Sequence, residues 1–187
     1  MTVIVRPARH EDYAAIAAVG AALQALHAAG RPDVFRSGGV PLSERHFAAY
    51  LADDPPAVYV AERHDAEGAN GDDARGDRAV GVVGYVLLSA YAEPSNAMMH
   101  RRMVATVEQI GVLATERGQG AGRALMAHAQ AWAQERGADV LRLHVWEFND
   151  HARAFYAHIG MATASRFMEM PLSSGHGGDE SRDVRDV

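Results

Sequence analysis

The spacing of apolar residues changes rhythm along the chain, and each rhythm predicts an element. Residues 3–6 form a short apolar strand. Between 11 and 29, Ile16, Val19, Leu23 and Leu26 recur at helical intervals, and Ala29-Gly30-Arg31-Pro32 ends that helix. Ser43 is placed to cap a second helix carrying Phe47, Tyr50 and Leu51, which Asp53-Asp54-Pro55-Pro56 stops. Residues 57–63 and 79–90, rich in Val and Tyr, read as paired strands. Residues 64–78 between them hold Asp, Gly, Asn and Arg, with almost nothing to bury. That stretch is too long for a tight hairpin and is expected to be mobile. An irregular link over 91–102 leads into a strand over 103–113.

The next stretch breaks the pattern. After that strand come a polar turn and three alternating glycines, Gly118, Gly120 and Gly122, opening a helix that runs to about Arg136. Leu125, Ala129 and Trp132 mark its buried side, and Gly137 closes it. Glycine is a poor helix starter because it loses the most backbone freedom. Three of them here imply that something approaches the backbone too closely for a Cβ. The first N–H groups of a helix lack internal partners and sit at the positive end of its dipole, which makes an anion site.

A P-loop needs Gly-Lys-Ser/Thr after the glycines, whereas Gly122 is followed by Arg123-Ala124. A dinucleotide fingerprint needs a glycine or alanine where this chain has Arg123 or Leu125, and Asp139 begins the next strand instead of ending it. What remains, Arg117-x-x-Gly120-x-Gly122, resembles the pyrophosphate-binding signature of the GNAT superfamily of acetyl-CoA-dependent N-acetyltransferases.

A second stretch carries the same resemblance. Asn149-Asp-His-Ala-Arg-Ala-Phe-Tyr-Ala-His-Ile-Gly-Met161 follows a strand-like run over 140–146. It is similar to the family's closing motif, with Met161 in place of the usual Phe. Local physics agrees with a short helix: Asn149 is a good N-cap, Ala152, Phe155, Tyr156 and Ile159 share a face, and Gly160 suits the end. A final strand over 165–172 completes the order βααβββαβαβ.

The resemblance covers residues 3–172. It implies an α+β fold with a central, mostly antiparallel mixed sheet, a splayed parallel strand pair and helices on both faces. One domain is expected over 1–172, with a disordered polar tail over 173–187.

Composition narrows the function. At 187 residues and 48% hydrophobic content, one sizeable core is affordable. A net charge of −6 without a basic cluster argues against nucleic acid as partner. The absence of cysteine excludes disulfides, thiolate metal sites and a cysteine nucleophile. Apolar runs of strand length predict no membrane span, and a start without signal-peptide features makes the cytoplasm the default. His151 and His158 would lie about 10 Å apart along a helix, too far to share an ion. No metal is expected, and a homodimer is left open.

For the site, the resemblance assigns acetyl-CoA to the backbone of Ile110, Gly111 and Val112 and to Arg117, Gly118, Gln119, Gly120, Ala121, Gly122 and Arg123. Asn149 would be a further cofactor contact, compatible with its role as a cap. A lysine-like amine is neutral in only about one molecule in two thousand at pH 7, a handicap of roughly 4–5 kcal/mol. A base is therefore useful. Glu108 stands where the family often places it, though a solvated strand face also explains a Glu there. Tyr156 would be the acid that protonates the departing thiolate. Phe35, His144, Trp146 and Glu147 are the candidates to face the acceptor. Residues 26–35 resemble a loop that some members use there, and His144 and Glu147 are also reserve bases. The competing function is a non-catalytic acyl-CoA sensor or scaffold on the same fold. A different acyl donor or an alcohol acceptor also stays open.

Overall fold

The computed structural model describes residues 2–39, 41–52, 57–65 and 78–172 of the chain. Among these residues, five strands form one sheet in the order β1-β2-β3-β4-β5: β1 Thr2–Pro7, β2 Val58–Asp65, β3 Arg78–Glu93, β4 Arg102–Val112 and β5 Val140–Leu143. The first four are antiparallel neighbours, and β5 runs parallel to β4. The helices are α1 Tyr13–Gly30, α2 Glu44–Leu51, α3 Ala121–Glu135 and α4 Asp150–His158.

Strand alternation sends successive side chains to opposite faces, and each face is covered by helices. Tyr59, Ala61, Val86, Leu88, Ala105 and Val107 pack with Leu125, Ala129 and Trp132 of α3 and with Phe155, Tyr156 and Ile159 of α4. Val58, Val60, Tyr85 and Leu87 pack on the other face with Ile16, Val19 and Phe47 from α1 and α2. Ser43 caps α2 as its position predicts, its hydroxyl accepting from the His46 N–H.

The parallel pair is splayed. Pairing of β4 with β5 runs only from Val104↔Val140 to Val107↔Leu143, while β4 continues to Val112. Glu108 marks the divergence. Leu88 pairs with Val107 and Leu87 with Gln109, so Glu108 is the extra residue of a β-bulge. The bulge shifts the phase of β4: Ala105 and Val107 face α3 before it, Ile110 and Val112 after it.

Several expectations are corrected. Residues 162–172 form no strand: Phe167, Met168, Met170 and Leu172 are all exposed, so their alternation has neither a pairing edge nor a face to bury. β5 ends at Leu143 instead of Trp146. Strand β3 runs on to Glu93, which shortens the link before β4. Leu26, expected on the buried stripe of α1, is exposed. His64, Asp65 and Arg78 of the expected mobile loop belong to paired strands, while residues 66–77 and the tail 173–187 lie outside the described residues. Residues 10–30 are long and apolar enough by composition to cross a membrane, contrary to the strand-length reading. In this fold Ile16, Val19, Gly20 and Ala28 of that stretch are buried.

Candidate active site

The glycine turn is held in shape from both sides. Glu116 pairs with Arg63 of β2, and the Gln119 amide donates to the Thr115 carbonyl at 3.1 Å. Gly118 and Gly120 have φ of +77° and +91°, the left-handed region that side chains avoid. A Cβ at either would meet no described residue within 4 Å, so this side of the turn is open among the described residues. Gly120 is the N-cap of α3, and no side chain among the described residues caps the helix. The first amides of α3 therefore have no intrahelical partner and no side-chain acceptor. Arg117 and Arg123 are exposed, and neither has an ion-pair partner among the described residues.

Gly122 brings three predicted parts together. A Cβ there would lie 3.4 Å from Phe155 Cζ and 3.9 Å from Val112 Cγ2. The turn, the end of β4 and α4 thus converge on one point. Tyr156 is next to Phe155, with ring centroids 5.3 Å apart and tilted. Burial pushes its phenol up to about 12, so the group stays protonated through the neutral range. Its hydroxyl makes no hydrogen bond among the described residues. Asn149 caps α4, its side-chain oxygen accepting from the Ala152 N–H at 3.1 Å. The capping role is thereby realised.

Beyond Val107, the edge of β4 that faces β5 is unpaired, and it includes Ile110, Gly111 and Val112. Extended backbone without a neighbour is a template for an added strand. Glu108 stands at the mouth of this gap, exposed, and accepts a hydrogen bond from the Ser89 hydroxyl.

Three of the four acceptor candidates come together. Phe35 meets Trp146 edge-on with centroids 5.2 Å apart, and His144 meets Trp146 at 5.4 Å. Glu147 points elsewhere: it pairs with Arg153 of α4 at 3.0 Å. The cluster has members that sequence reasoning missed. His27 stacks on Phe35 at 4.9 Å and reaches Phe148, which stacks on Trp146. Arg31 lies 5.3 Å above Trp146 and pairs with Asp33 at 2.8 Å and Glu169 at 2.9 Å. Phe167 reaches His144. Burial, reinforced by His144, lowers the His27 pKa and favours its neutral form. The arginine sandwiched between an aromatic face and two carboxylates anchors residues 165–172, which supply Phe167 and Glu169. Among the described residues, no three His, Cys, Asp or Glu side chains are grouped to hold a metal ion.

The sequence profile of the acetyltransferase (GNAT) family matches residues 23–161. A streptothricin acetyltransferase from Streptomyces lavendulae is 37% identical over 113 residues, 58% of this chain and 59% of that protein. The match thus spans less than two thirds of the relative's length. A mutant of the BH1408 protein from Bacillus halodurans superposes with a TM-score of 0.76 at 26% identity, covering 90% of this chain and 99% of that one. An aminoglycoside N-acetyltransferase solved in complex with CoA shares the fold, with a TM-score of 0.57 at 16% identity over 92% of this chain and 95% of its own.

Proposed function

The chain belongs to the acetyltransferase (GNAT) family, and we propose that it moves an acetyl group from acetyl-CoA to a primary amine by direct transfer. The observation that carries this reading is the splay of β4 from β5 at the Glu108 bulge, beside an uncapped helix start. A thioester with a phosphorylated tail needs such a pair: an edge for the amide-bearing arm and bare N–H groups for the pyrophosphate. The open side of Gly118 and Gly120 leaves room for the latter, and Arg117 and Arg123 add charge.

In this mechanism Glu108 takes a proton from the ammonium form of the acceptor, and the freed amine attacks the thioester carbonyl. A backbone N–H within 110–112 stabilises the oxyanion. As the C–N bond forms and the C–S bond breaks, Tyr156 gives its proton to the departing sulfur. The proton that the acylated nitrogen loses returns to the tyrosinate, directly or through water, which restores the phenol. Its raised pKa makes it a weak acid, but one fully protonated when needed. Presence of both Glu108 and Tyr156 favours the enzyme over a silent sensor.

The acceptor enters over the aromatic cluster of His27, Phe35, His144, Trp146 and Phe148. Flat rings suit a cationic small molecule or peptide amine, while the rim carboxylates Asp33 and Glu169 hold Arg31 in place. Streptothricin, which the name of the Streptomyces relative contains, is the first acceptor to assay. The test is thiol release from acetyl-CoA with a panel of amines and alcohols. Turnover with an amine supports the reading; CoA binding without turnover on any acceptor favours the sensor.

A further inference from the structure

The bulge is tied down on the face away from α3 and α4. The buried Tyr85 hydroxyl donates to Gln109 Oε1 at 2.8 Å, and Gln109 Nε2 donates to the Pro41 carbonyl in the α1–α2 connection at 3.4 Å. Two glycines let the surroundings close on this chain of contacts. A Cβ at Gly111 would lie 2.7 Å from Val19 Cγ1 and 3.6 Å from the Tyr85 ring. One at Gly20 would lie 3.4 Å from the Tyr85 hydroxyl and 3.6 Å from the Pro41 ring.

The physical consequence is register. If the extra residue of β4 moved one position toward Val112, Gln109 would turn toward the apolar face that holds Val107, Ile110 and Val112. Its amide would then lose both partners in an apolar setting, and the Tyr85 hydroxyl would lose its acceptor while fully buried. Each orphaned group is costly. The hydrogen bonds therefore hold the bulge against a slip toward Val112.

We infer that Gln109 is a positioning residue: held by Tyr85 and Pro41, it locks the bulge at Glu108 and thereby aims the Glu108 carboxylate and the backbone of residues 110–112. It also couples the α1–α2 connection, on the acceptor side, to the strand that receives the thioester. The role in turnover rests on the acetyl-transfer reading above; the locking of the bulge does not.

The test compares Gln109→Met, Tyr85→Phe, their double variant and Gln109→Glu, each well below its own melting temperature. Amide hydrogen exchange over residues 107–112 is measured on the free protein, and kcat and KM on the active enzyme. Exchange should quicken at 108–112 in Gln109→Met and Tyr85→Phe. Their kcat should fall about ten- to a hundred-fold, as misplacement near 1 Å does. The acetyl-CoA KM should rise less than kcat falls, because the glycine turn is untouched and only the edge at 110–112 is loosened. The double variant should be no worse than the worse single, since both break one link. Gln109→Glu keeps an acceptor for Tyr85 but loses the donor to Pro41 and adds a charge beside Glu108. Its exchange at 108–112 should stay closer to wild type than that of Gln109→Met, while its pH profile of kcat moves to higher pH. Unchanged exchange at 108–112 in folded variants overturns the lock. Quickened exchange with unchanged kcat overturns the positioning role. Wild-type protein that turns over no acceptor sinks the acetyl-transfer reading instead, and the exchange measurement then still decides the lock.

Discussion

The Ser89 hydroxyl on β3 donates a hydrogen bond to the carboxylate of Glu108, the residue bulged out of β4. The bond crosses between strands at the point where β4 leaves β5. It orients one carboxylate oxygen and leaves the other for a substrate proton.

Glu108→Gln keeps the shape of the side chain and removes the base. Turnover should fall about 10²–10⁴-fold near neutral pH. The defect should shrink as pH rises toward the pKa of the acceptor, because solution then supplies the neutral amine. A pH profile of kcat/KM checks this, and a defect constant across pH would assign Glu108 a different role.

Tyr156→Phe keeps the ring against Phe155 and deletes the proton donor. Cofactor binding should survive while kcat falls about 10²–10⁴-fold. Because burial raises the Tyr156 pKa to about 12, its ionisation should not limit the rate until strongly alkaline pH. The sign for stability follows from linkage. Unfolded tyrosine ionises near pH 10, so the fold should weaken as pH rises from about 10 toward 12. Thermal melts across that window should show a smaller loss in Tyr156→Phe than in wild type.

Gly120→Val tests the open turn. At φ +91° a branched side chain is strained by about 1–3 kcal/mol, although it would touch nothing nearby. The melting temperature should drop by several degrees. CoA binding should be lost far beyond that effect, because the side chain stands over the bare amides. Calorimetry at a temperature where the variant is folded separates the two, and wild-type affinity there would reject the assignment.

Gly30→Ala probes the aromatic cluster from α1. Its Cβ would lie 2.3 Å from Phe148 Cε2, so the ring must swing away from Trp146. Overpacking of this kind costs about 1–3 kcal/mol. The acceptor KM should rise while CoA affinity stays near wild type. An unchanged acceptor KM would place the acceptor elsewhere.

What the sequence by itself determined is local. Helix stripes, the Ser43 and Asn149 caps and the glycine turn all depend on residues within a few positions of one another, where the chain's own geometry sets which groups meet. The two motifs around Gly120 and Tyr156 were legible for the same reason. The bulge at Glu108 had a signal in the phase change from Val107 to Ile110, but a bulge is a count across two strands, and β4 alone does not show it. Only the tertiary structure decided the rest. Residues far apart in sequence (His27, Arg31, Trp146, Phe148 and Glu169) meet where α1, the end of β5 and the C-terminal segment pack, and no spacing records that. The alternation of Met168, Met170 and Leu172 read as a strand, yet alternation becomes a strand only where a free edge and a dry face are within reach. Here the segment is held by Arg31 and His144, and its apolar side chains face outward.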